Sequence, residues 1–152
     1  MSIVWKYLDK KSAVVKALED YSSMQFIIEH TDEKIRQEEE RMTSVGSPRF
    51  DGMPRTHNPN AHEERLLDGL EKIDVLKERY RQAVEYMEWL KPAWKQLSEE
   101  EQDVLATFFI DDMYGDGAAD AIARTYHIER ASAYRKKNRA LDHLTLLLYG
   151  KE

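Results

Sequence analysis

The sequence predicts an all-α protein, a long-helix hairpin followed by a small C-terminal helix-turn-helix domain. Three observations carry that expectation. Apolar residues recur at sevens through two long stretches on either side of a Gly/Pro-rich interruption. Ser98-Glu99-Glu100-Glu101 has the form of a capping box, serine at the cap and glutamate three residues on. The last third of the chain separates into an apolar and a basic side at helical spacing.

Residues 2–42 read as one long helix, since neither glycine nor proline occurs before Gly46. Tyr7, Val14, Tyr21, Ile28, Ile35 and Met42 form a coiled-coil-like row, with Ile3, Ala17 and Met24 as a weaker second one. Residues 43–61 break the period with Gly46, Pro48, Gly52, Pro54 and Pro59, and are expected to be a mobile connector. Its Arg49 and Arg55 are suited to phosphate, its Phe50 and Met53 to docking. A second long helix is expected over 62–97, where Leu66, Ile73, Tyr80, Met87 and Trp94 recur at sevens. Gly69, Leu76, Ala83, Leu90 and Leu97 form the adjacent row, and Pro92 should bend or restart the helix. Two such helices fold back as an antiparallel hairpin or pair between chains. A two-helix hairpin buries little alone, so residues 1–97 are expected to form a homodimer.

The helix opened by Ser98 carries Val104, Leu105, Phe108 and Phe109 on one side. Glu99, Glu100, Glu101 and Asp103 sit where free N–H groups favour negative charge, which makes them helix-capping acids first. The other reading is an acidic patch for a basic partner surface. Asp116 to Leu148 is the stretch that carries function. Asp116 is expected to cap a helix reaching Tyr126, with Ala118, Ala121 and Ile122 as its apolar side. His127 and Ile128 fall at a turn, and Glu129 begins a second helix.

At a step of about 100° per residue, Ala133, Ala140, Leu141, Leu144 and Leu148 share one side of that second helix. Ala131, Ser132, Arg135, Asn138 and Arg139 share the other. Between Glu129 and Arg139 stand five bases (Arg130, Arg135, Lys136, Lys137, Arg139) and one acid. A helix with a small-residue start and outward arginines suits the DNA major groove. The expected DNA-binding residues are therefore Arg130, Ala131, Ser132, Arg135, Lys136, Asn138 and Arg139. Arg135 is expected to read a base; Arg130, Lys136, Lys137 and Arg139 are expected to meet phosphates. A solvated basic helix closing an ordinary bundle is the competing explanation.

The stretch AIARTYHIERASAYRKKNRALDHL resembles region 4 of sigma-70-type factors, in which an "EIA..LGIS...V...R.RAL..L" pattern recurs. Ala121-Ile122-Ala123 stands in place of "EIA", Ile128 at the turn isoleucine, Ala133 at the buried valine and Arg139-Ala140-Leu141 at "RAL". With the two long helices upstream, the chain is similar to phage late-transcription regulators of the RinA/ArpU type. The chain departs from the pattern at two places. His127 replaces the turn glycine, where a positive φ costs histidine more than glycine. Ala121 replaces the acid. The resemblance implies a non-catalytic late-gene activator that binds promoter DNA with host RNA polymerase in the bacterial cytoplasm. The alternatives are a phage small terminase subunit, which joins similar parts for DNA packaging, and a helical adaptor that binds only protein.

Charge distribution sharpens this picture. The net charge of −6 over 152 residues argues against a generic DNA-coating protein. Residues 117–152 nevertheless carry seven bases and four acids, while residues 98–116 carry seven acids and no base. Division into 1–97 and 98–152 follows from this shift and the capping box. Cysteine is absent, so disulfides and thiolate metal sites are excluded. No apolar run approaches membrane-spanning length, and MSIVWKYLDKK lacks a signal-peptide core. His57, His62, Glu63 and Glu64 lack rigid ligand spacing, and no phosphate loop, nucleophile elbow or HExxH occurs. Neither a cofactor, a metal nor an enzyme activity is expected.

Overall fold

The computed structural model describes residues 3–44 and 60–150, and every regular element among them is helical. Most of the 43–61 connector, with Arg49, Phe50, Met53 and Arg55, lies outside the described residues. The N-terminal stretch is not one helix. It divides into α1 (Val4–Tyr7), α2 (Lys10–Glu19) and α3 (Tyr21–Thr43). Asp9 makes the first break: its carboxylate accepts from Ser12 N–H at 3.1 Å and Ser12 Oγ at 2.7 Å. Those bonds give the backbone a cap where a heptad pattern alone predicts continuation, and they hold the Asp9 carboxyl below its usual range. Asp20 makes the second break, its N–H closing α2 on the carbonyls of Leu18 and Lys16.

Helix α4 (Ala61–Gln96) passes through Pro92 without a restart. Glu88, whose carbonyl loses its usual donor there, lies on the exposed side with Pro92, where water can replace the missing N–H. Gln102 closes the end of α4, donating Nε2 to the carbonyls of Trp94 (2.9 Å) and Leu97 (3.3 Å). Helix α5 (Glu99–Leu105) starts at the expected capping box. The Ser98 side chain accepts from Glu101 N–H, and the Glu101 carboxylate accepts from Ser98 N–H. A π turn follows over Ala106–Ile110, closed by Asp111 N–H on Ala106 O at 2.8 Å. The expectation of a single apolar side is corrected by the packing, because neighbouring residues of a helix face different directions. Val104 and Phe108 belong to one buried cluster, whereas Leu105 and Phe109 belong to another.

A 3₁₀ turn (Gly115–Gly117) leads into α6 (Ala118–Tyr126), and α7 spans Arg130–Tyr149. Asp116 does not cap α6. It sits inside the 3₁₀ turn, and Gly117 occupies the cap position without a side-chain bond.

Compact packing draws boundaries other than residue 98. One unit comprises Met1–Gln25 and Glu85–Glu152, the other Phe26–Val84. In the first, Val14 and Leu18 of α2 and Ala93 and Leu97 at the end of α4 form one core with Leu105, Ala140, Leu141 and Leu144. Tyr86 ties α4 to α2 through a bond from its hydroxyl to Ala17 O, and burial pushes its phenol up. The C-terminal helices are thus seated on apolar residues from both sides of the expected boundary. In the second unit, Met42 lies against Gly69, and a Cβ there would collide with its side chain. Arg41 bonds Asp68 at 3.0 Å, and Lys72 reaches the same carboxylate at 3.1 Å. No helix among the described residues is long and apolar enough to cross a membrane.

Candidate nucleic-acid interface

The connection from α6 to α7 determines which residues the C-terminal helices present. His127 adopts φ 53° and ψ 48°, the left-handed conformation that ends a helix sharply. Ile128 N–H then closes back on Ala123 O at 3.0 Å. This turn costs a Cβ-bearing residue more than glycine, though histidine tolerates it better than most. Ile128 packs beside Val104, Ala119, Ile122 and Ala133, so the turn is held by the core it closes. Glu129 is the extended residue before α7, and its carbonyl accepts the first helical bond from Ala133 at 3.1 Å.

Helix α7 then sorts its residues. Ala133, Ala140, Leu141 and Leu144 are buried, as their spacing predicts, whereas Leu148, expected on the same side, is half-buried. Ala131, Arg135, Asn138 and Arg139 are exposed, and Ser132 is half-buried. The side chains of Arg135, Asn138 and Arg139 make no hydrogen bond or ion pair among the described residues. They form an available edge along about one turn of helix.

The remaining bases are engaged within the protein. Arg130 Nε lies 3.7 Å from an Asp120 carboxylate oxygen, and its guanidinium is 5.9 Å from the Tyr134 ring centre. Lys137 Nζ lies 5.3 Å from the Phe108 ring centre and 5.1 Å from that of Tyr134, a cation–aromatic arrangement that draws the charge to the domain. Lys136 donates to the Glu100 carboxylate and lies 5.4 Å from the Tyr126 ring centre. Of the four bases expected at phosphates, Arg139 alone makes none of these contacts.

Sequence reasoning also missed how the acidic segment is used. Glu101 serves two helices at once, one oxygen closing the capping box and the other 2.7 Å from His143 Nδ1 on α7. Burial opposes its ionisation, yet the bonds from Ser98 N–H and His143 outweigh it and hold the carboxyl below its usual range. Asp103 accepts from the Tyr126 hydroxyl at 2.8 Å. Burial, together with that bond, pushes the phenol up to about 12. The available signal was the abrupt change from seven acids in residues 98–116 to a basic segment directly after. Opposite charge on neighbouring helices of a small domain invites pairing.

No group of three or more metal-binding side chains occurs among the described residues; His57 lies outside them. Comparison with protein-family models, with curated proteins and with solved structures found no match.

Proposed function

We propose that this chain is a sequence-specific DNA-binding regulator of transcription, in which α6 and α7 act as a helix-turn-helix. One observation carries the reading: the left-handed turn at His127 joins two short-linked helices, and the second keeps Ala131, Arg135, Asn138 and Arg139 exposed while seating its apolar side. Ala131 allows close approach of the backbone to a groove edge. Arg135, one turn further, is exposed and in this reading makes a bidentate contact with guanine. Arg139, a turn beyond, meets phosphate as the helix leaves the groove. In this reading α3 and α4 form a hairpin through which two chains pair. Exposed Leu67, Leu70 and Val75 support a homodimer. The resemblance to late-transcription regulators suggests a phage promoter as the target and host RNA polymerase as partner.

The test is a binding-site selection on the intact chain and on Arg135→Ala and Arg135→Lys. The alanine variant is expected to lose preference at one base pair, a discrimination of about 1–3 kcal/mol. Lysine is expected to restore charge but only part of the preference, because the planar fork is gone. Identical preferences in all three proteins would remove Arg135 from base readout. Mapping bound DNA across the genome separates the wider alternatives: a promoter footprint supports a regulator, a packaging-site footprint a terminase subunit, and no footprint an adaptor.

A further inference from the structure

Beside the outward edge of α7 lies a shallow groove of about 270 Å³, lined by Ser98, Glu100, Glu101, Val104, Lys136, Arg139 and Ala140. Lys136 and Arg139 stand three residues apart on α7 and therefore side by side. Their charges are used differently. Lys136 is fixed by the Glu100 carboxylate and by the Tyr126 ring, which Asp103 holds in place. Arg139 makes no side-chain bond or ion pair among the described residues. An anionic oxygen thus already sits against one of two adjacent cations, supplied by the chain itself.

We infer that this groove is a contact site for a nucleic-acid phosphodiester, and that Glu100 is its built-in competitor. The inference rests on the DNA-binding reading above. A carboxylate and a phosphodiester each offer a lysine a singly charged oxygen acceptor, so they compete for Lys136. While Glu100 holds that lysine, one sequence-independent contact is removed. Phosphate contacts raise affinity for every sequence alike and carry no base information. Glu100 therefore lowers the general affinity of the chain for DNA and leaves its base preference untouched. This fits a net charge of −6 on a protein with a basic helix, because the acids are placed against individual bases and not merely dispersed.

The experiment titrates a short random-sequence duplex by fluorescence anisotropy at several salt concentrations. It compares the wild type with Glu100→Gln, Glu99→Gln and the double variant Glu100→Gln/Lys136→Ala. Glu99 lies on the same turn and makes no side-chain bond or ion pair among the described residues, so it controls for loss of one negative charge. Glu100→Gln is expected to bind more tightly than Glu99→Gln. Its log affinity should fall with log salt more steeply by about 0.9, the slope of one added phosphate contact. The double variant should return to the wild-type slope, and a binding-site selection on Glu100→Gln should yield the wild-type preference. If Glu100→Gln and Glu99→Gln titrate alike while the wild type binds, the groove is not a phosphate site and only this inference falls. If no variant and no wild type binds any duplex, the DNA-binding reading falls and takes this inference with it.

Discussion

The two compact units are both helical, but they use the same kind of pattern differently. In the first, residues arriving from α2, the end of α4, α5 and α7 converge, and Val14, Leu18, Leu90, Leu105 and Leu144 are essentially inaccessible. In the second, two heptad-patterned stretches bury Met42, Ile73, Ala83 and Thr31 but leave Phe26, Leu67, Leu70, Val75 and Tyr80 exposed. A heptad row specifies one apolar stripe per helix. Two helices can satisfy that stripe only along their mutual seam, whereas a four-sided core encloses residues from every direction. Apolar spacing alone therefore overstates how much a two-helix stretch buries.

Truncation at the centre of each unit tests the contrast most strongly. Leu144→Ala is expected to cost about 3–5 kcal/mol, because its neighbours cannot collapse into the space left. Ile73→Ala, in the thinner seam, is expected near the lower end of the range, about 2 kcal/mol. Chemical denaturation of the two variants measures both; equal losses would show that the second unit packs as fully as the first.

Gly69→Ala probes the closest approach in the second unit. The new methyl must displace Met42, at about 1–3 kcal/mol, the usual cost of overpacking. Hydrogen exchange should rise in the last turns of α3 while the amides of α7 keep their protection. Loss of protection in both places would mean that the two units unfold together.

A smaller effect, opposite in sign, is expected in the first unit. His127→Gly relieves the left-handed backbone but adds freedom to the unfolded chain, for a net gain of about 0.5–1 kcal/mol. A lower melting temperature in this variant would show that the imidazole contributes more than its backbone conformation costs.

The smallest expected effect concerns acid. Glu101 has a carboxyl held below its usual value of 4.5, so its ionised form adds stability above that value, and the contribution is lost as pH falls below it. Glu101→Gln should be less stable near neutral pH and should show a flatter loss on acidification. Parallel acid limbs in the two proteins would remove the Glu101–His143 contact from the ledger of α5–α7 docking.

What the sequence determined by itself is local. The helical class, the Ser98 capping box, the start of α7 to within one residue, and the burial of Ala133, Ala140, Leu141 and Leu144 were all legible. Each rests on residues within one or two turns of one another, where periodicity and capping operate. His127 does take a positive φ, a conformation that only the resemblance had raised for this turn. The break at Asp9 had a local cause too, but it was hidden beneath a continuous heptad row. Tertiary structure decided the rest. Phe108 and Phe109 pack against different cores, α2 and the end of α4 complete the seat of α7, and Glu100 pairs with Lys136. These outcomes join residues tens of positions apart. Their energies depend on which surfaces meet, and a one-dimensional pattern records the charge of a lysine but not the carboxylate that folding brings beside it.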